Sequence, residues 1–114
     1  METEIQKYLY DIQKSCEFIG EFTDGQDFEG YRNNRLLKSA VERQFITIGE
    51  ALNQAIRRNP DLVSYISNTR KIIDFRNLLT HQYGAVSDAV VWDIIQTNLP
   101  KLMDEVTQLL GAAL

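Results

Sequence analysis

The sequence predicts an all-α protein, an antiparallel up-and-down bundle of four principal helices plus one short one. Apolar residues recur at steps of three and four along most of the chain, and no segment shows the strict alternation of a half-buried strand. Polar breaks bearing glycine or proline divide these stripes into helix-sized pieces. A chain of 114 residues can bury one core without staples, so residues 1–114 are expected to form a single domain.

The first helix is expected from Thr3, where Thr3 and Gln6 have the spacing of a capping box. Its stripe is Ile5, Tyr8, Leu9, Ile12, Cys16, Ile19 and Phe22. Cys16 lies on that stripe beside Glu17 and Glu21, so it reads as a small buried hydrophobe and not as a reactive thiol. Thr23 to Gly30 reads as a polar linker with an Asp24-Gly25 turn, pinned by Phe28. The second helix, Arg35 to Arg57, carries Leu37, Val41, Phe45, Ile48, Leu52 and Ala55, a stripe that Leu36, Ala40, Ala51 and Ile56 widen. Gly49 inside it costs about 1 kcal/mol relative to alanine, which points to a close helix–helix approach. Glu50 falls on a different face.

Pro60 ends that region, and residues 61–66 suit one or two helical turns. Ser67, Asn68 and Thr69 offer caps for a third main helix over 70–82, with Ile72, Phe75 and Leu79 facing inward and Gly84 as its stop. Ser87 caps the last segment, whose stripe runs Val91, Ile94, Ile95, Leu99, Leu102, Val106 and Leu109. Pro100 interrupts it and predicts a kink or a fresh start at Asn98. So many stripes for so few helices also make a dimer face an expectation.

No apolar run reaches the roughly 18 residues of a membrane helix, and the acidic start Met1-Glu2-Thr3-Glu4 does not read as a signal peptide. One cysteine allows no internal disulfide, so a cytoplasmic setting is expected. The net charge of -4 is unevenly spread: residues 1–30 balance at -6, residues 31–76 at +5 and residues 77–114 at -3. A basic band of this kind suits a polyanion, although on charge alone solvated helix faces are the favoured explanation.

The stretch Asp74 to Gly84 holds the chemistry. It contains the chain's one histidine, His81, with Arg76 five residues before it and Tyr83 two after. One histidine and one cysteine, far apart on different helices, make no zinc framework, and phosphate loops and nucleophile elbows are absent, so no metal and no cofactor is expected. Arginine brings a permanent charge and a fork of donors suited to phosphate. Histidine passes protons near neutral pH, and tyrosine stacks on bases or bonds phosphate oxygens. Together they suit cleavage of RNA through its own 2'-hydroxyl. Asn77 and Asp74 are candidates to orient Arg76 or His81. In one straight helix, however, His81 lies about 140° around from Arg76. Either the helix ends or bends before His81, or a second subunit completes the site. The plainer alternative is a helix C-terminus with Arg76 in a surface ion pair with Asp74 or Asp88.

Arg76-Asn77-Leu78-Leu79-Thr80-His81-Gln82-Tyr83 resembles the signature of HEPN domains, specifically the HepT-like toxins. Ile48-Gly49-Glu50-Ala51 resembles the family's motif in the long helix, and Val91-Trp92-Asp93-Ile94-Ile95 with Leu99-Pro100-Lys101-Leu102 its final helix. Gly84 departs from the many relatives that carry an aromatic there. The resemblance implies a dimer in which Arg76 and His81 of two subunits line one cleft. It implies metal-independent cleavage of tRNA or mRNA, and a nucleotidyltransferase antitoxin that silences the toxin by placing AMP on Tyr83. Two other readings fit the same residues: a non-catalytic bundle that binds nucleotide or RNA, and an interaction module that docks the nucleotidyltransferase.

Overall fold

Four stretches with an apolar face long enough to bury, each bounded by a polar break, become the four long helices, and a fifth, short helix forms between the first two. A computed structural model describes residues 1–112, with the backbone alone at Tyr83. The helices are α1 (Thr3–Thr23), α2 (Phe28–Arg32), α3 (Arg35–Arg58), α4 (Thr69–His81) and α5 (Asp88–Ala112). Short 3-10 turns occupy Pro60–Ser64 and Tyr83–Ala85. The all-α bundle expected from the stripes is therefore what forms, although the short elements differ. The one or two helical turns expected after Pro60 form as the 3-10 turn, whereas the linker expected after Thr23 contains α2. Asp27 starts α2 by accepting the Gly30 N–H at 2.8 Å, an N-cap hidden inside a glycine-bearing loop.

Ion pairs and hydrogen bonds between helix ends set the directions. Arg58, at the end of α3, reaches Glu2 just before α1 at 2.8 Å, so these two helices are antiparallel. Lys38 near the start of α3 meets Asp88 at the start of α5 at 3.2 Å. Ser67, just before α4, donates its N–H and hydroxyl to the two carboxylate oxygens of Glu105, late in α5, at 3.0 and 2.7 Å. The four long helices thus alternate in direction along the chain.

The core draws Leu9, Ile12 and Ile19 from α1, Val41, Ile48 and Leu52 from α3, and Val91 and Val106 from α5. Three expected core positions are corrected. Phe22 is 37% exposed and stacks on Phe18, while Thr23 is buried and donates its hydroxyl to the Ile19 carbonyl. Leu36, expected to widen the α3 stripe, is 81% exposed, while its neighbour Leu37 takes the buried side of the first turn of α3. The residue that pins the second connection is Tyr31, fully buried against Trp92 at 5.5 Å between ring centres, more than Phe28.

Capping is also corrected at two places. Thr3 lies inside α1, and Gln6 donates to the Met1 carbonyl, so no capping box forms. Asn68 precedes α4 in the left-handed region (φ 59°) without a side-chain cap, and its neighbour Ser67 bonds Glu105. Ser87 does cap α5, accepting the Val90 N–H at 3.3 Å. Helix α5 is continuous from Asp88 to Ala112 with Pro100 inside it, so no fresh helix starts at Asn98. Among the described residues no helix is long and apolar enough to cross a membrane.

Candidate active site

Helix α4 carries the candidate residues, and it is the least buried of the long helices. Leu79 is its one fully buried residue, with Ile72, Ile73 and Phe75 partly covered. Phe75 meets Phe45 of α3 edge-on at 5.3 Å, which fixes the rotation of α4. That rotation turns Arg76 toward α3. A Cβ on Gly49 would lie 2.7 Å from Arg76 Cγ and closer still to its Cβ. Glycine is therefore required at 49 because the arginine stem crosses α3 there, and the close approach expected from Gly49 is specifically an approach to Arg76.

The guanidinium is held at both ends. Nη2 donates to Glu50 Oε1 at 3.1 Å, and Nη1 donates to Asn77 Oδ1 at 2.8 Å. Nε is buried and has no hydrogen-bond partner among the described residues. The surface ion pair weighed for Arg76 exists, but with Glu50. Asp74 instead faces Arg70 at 3.8 Å on an exposed surface, and Asp88 is taken by Lys38. Asn77 touches Arg76, and Asp74 makes no such contact.

Arg76 and Glu50 form part of the wall of a cleft of about 310 Å³ between α1, α3 and α4, which Tyr8, Asp11, Thr47, Asn53 and Gln54 also line. A second, more apolar cavity of about 260 Å³ lies on the other side of α4, over Phe45 and Phe75, with Lys71 and Lys101 among its lining residues. Arg76 is absent from that lining.

His81 is the last residue of α4 and is exposed. The helix does not end before it, so five helical steps separate it from Arg76. That is about 7.5 Å along the axis and about 140° around it. One subunit therefore holds the two residues on different faces of α4. Tyr83 opens the 3-10 turn that follows, off the helix axis, and its side chain lies outside the described residues. The basic band of residues 31–76 is not one free surface: Arg32, Lys38, Arg58, Arg70 and Arg76 all stand in ion pairs.

Elsewhere, burial and then the charge of Glu17 push the Cys16 thiol up to about 12, which suits its place in the core. Glu42 is held above the usual carboxylate range by partial burial and by the charge of Asp88, against an opposing pull from Lys38. Burial, with Glu42 and Asp88, also raises Tyr31, whose hydroxyl has no partner among the described residues. Among the described residues no three His, Cys, Asp or Glu side chains are grouped to hold a metal ion.

Sequence reasoning missed Glu50 as part of this site. The signal available was its position directly after a glycine that had no other reason to be in a helix.

The family description "Ribonuclease HepT-like" matches residues 12–109 of the chain. Three proteins named "Putative RNase" are similar to it over most of their length. One from Methanocaldococcus jannaschii is 30% identical over 106 residues, spanning 90% of this chain and 94% of the relative. Another from the same organism is 30% identical over 102 residues, spanning 90% and 87%. One from Caldanaerobacter subterraneus subsp. tengcongensis is 29% identical over 103 residues, spanning 90% and 91%. No solved structure matches the chain.

Proposed function

The chain belongs to the HepT-like ribonuclease family of the HEPN superfamily, and we propose that it is the toxin of a toxin–antitoxin pair, an endoribonuclease that cleaves RNA in the cytoplasm without a metal. Residues 1–114 act as one domain. The 2'-oxygen of a ribose attacks the adjacent phosphorus, the bond from phosphorus to the 5'-oxygen breaks, and a cyclic phosphate and a 5'-hydroxyl result. One proton leaves the 2'-hydroxyl and one arrives at the 5'-oxygen. His81 handles these transfers, and Arg76 stabilises the charge that builds on the phosphoryl oxygens.

The separation of the two residues around α4 favours an active dimer. Each chain has one histidine, whereas the reaction needs a proton acceptor and a proton donor. Two subunits sharing a cleft supply both, and let the Arg76 of one chain serve beside the His81 of the other. Asn77 supports Arg76 through its 2.8 Å contact. Asp74, paired with Arg70, is left as a surface residue. Transfer of AMP to Tyr83 by a nucleotidyltransferase antitoxin would put a bulky anion two residues from His81 and repel RNA.

The observation that carries this reading is the family match across residues 12–109, which contains the whole Arg76–Tyr83 motif. Its test is cleavage of total tRNA in excess EDTA by the purified protein, with His81→Ala alongside. Cleavage by the wild type and none by a folded His81→Ala is expected. Equal cleavage by the two would refute the role of His81. Absence of cleavage by a wild type whose mass excludes AMP on Tyr83 would favour a binding or docking module instead.

A further inference from the structure

We infer that Glu50 is the positioning residue for Arg76: with Gly49 it forms a seat on α3 that holds the guanidinium in the orientation used on the scissile phosphate. The inference rests on the ribonuclease reading for its catalytic consequence, but the seat itself is visible in the geometry.

Three features converge on one side chain. Gly49 has no Cβ, and the Arg76 stem lies where that atom would be, so the arginine cannot leave α3 without opening a gap. Glu50, the next residue, then takes Nη2 at 3.1 Å across 26 positions of sequence. Asn77 takes Nη1, so rotation about the end of the side chain is restrained from two helices. A guanidinium has five N–H donors. Two are engaged in these contacts. The remaining Nη hydrogens are left for a phosphate in the cleft that Arg76 helps to line, while Nε is buried away from it.

Charge argues for this role over simple surface pairing. Glu50 is an acid in the wall of a cleft proposed to receive RNA, where a negative charge opposes substrate binding. As a pair of partly exposed groups it contributes little to stability. A carboxylate that neither helps binding nor stabilises much is explained by what it does to Arg76. No other hydrogen bond or ion pair engages its carboxylate among the described residues.

The test is a double-mutant cycle on tRNA cleavage with an arginine spectroscopic readout. Glu50→Gln should lower kcat by roughly 10- to 100-fold, the range for a misplaced catalytic group, while KM stays level or falls because an anion has been removed. Glu50→Asp should recover part of the lost kcat. In an Arg76→Ala background Glu50→Gln should add no further loss, because Glu50 acts through Arg76. Independently of activity, the Arg76 Nε–H resonance, assigned by its absence in Arg76→Ala, should be distinct in the wild type. In Glu50→Gln it should move toward the position of exposed arginines.

Unchanged kcat in Glu50→Gln, or an undiminished loss in the Arg76→Ala background, would overturn the inference. So would an Arg76 resonance indifferent to Glu50. A wild type that cleaves no RNA would remove the ribonuclease reading and the catalytic consequence with it. The resonance would then decide whether the seat exists.

Discussion

Replacing Gly49 with alanine should destabilise the protein, although the general rule for a helical glycine points the other way. In the middle of α3 alanine gains about 1 kcal/mol in helix propensity. Against this, the new methyl meets Arg76 Cγ at 2.7 Å and Cβ closer still. Comfortable carbon contacts begin at about 3.5 Å, so α4 must retreat by about 1 Å. The colliding atoms lie next to the α4 backbone, and no rotamer of Arg76 carries its Cβ away. Retreat also loosens the Phe45–Phe75 contact and pulls Nη2 away from Glu50.

Overpacking of this kind costs about 1–3 kcal/mol, and two colliding atoms justify the upper end. After the gain in propensity the net loss is about 2 kcal/mol, or roughly 5–10 °C in Tm for a domain of this size. Gly20 provides the control. It is an exposed glycine of α1, and a methyl group added there would meet nothing within 4 Å, so Gly20→Ala should stabilise by about 1 kcal/mol. Urea unfolding followed by far-UV circular dichroism measures both variants, with tRNA cleavage run in parallel. If Gly49→Ala is as stable as Gly20→Ala and cleaves at the wild-type rate, then α3 and Arg76 are not in the contact described, and the seat falls with it.

Other perturbations probe the interior. Tyr31→Phe removes a buried hydroxyl without a partner among the described residues, so stability should hold or rise by up to about 1 kcal/mol; a clear fall in the urea midpoint would mean the hydroxyl is satisfied. Glu42 sits above the ordinary carboxylate range when folded, so the folded state binds its proton more tightly than the unfolded chain does. Stability should therefore fall as pH rises from the ordinary carboxylate range to the folded value, then level off. Glu42→Gln should abolish that fall, and a wild type whose Tm is flat across this window would contradict it. Cys16, pushed up to about 12 and buried, should resist a thiol reagent at pH 8 and react once urea unfolds the chain; fast labelling of the native protein would place it at the surface.

The helices were legible because each long one shows a face, and a face is a property of neighbours in sequence. The errors lie where that property fails. Phe22 and Leu36 are apolar residues at helix ends, but Thr23 and Leu37 beside them take the buried positions. Asp27 caps α2 from within a segment whose glycines read as loop. Pro100 interrupts one backbone hydrogen bond, which a 25-residue helix packed along the bundle tolerates.

The candidate motif stood out for a related reason, since Arg76, Asn77, His81 and Tyr83 stand within eight residues. What holds Arg76 was not, because Glu50 lies off every stripe and 26 positions away. Gly49 was the one local trace of that contact. A glycine in mid-helix has no propensity reason to be there, so it marks a neighbour that needs the space. The neighbour proved to be an arginine stem, which carries a charge to a defined point beyond the glycine. A countercharge within one residue of that glycine is then the natural partner to seek. Glu50 meets that requirement, which makes Gly49 and Glu50 one device and explains why their substitutions should fail through the same side chain.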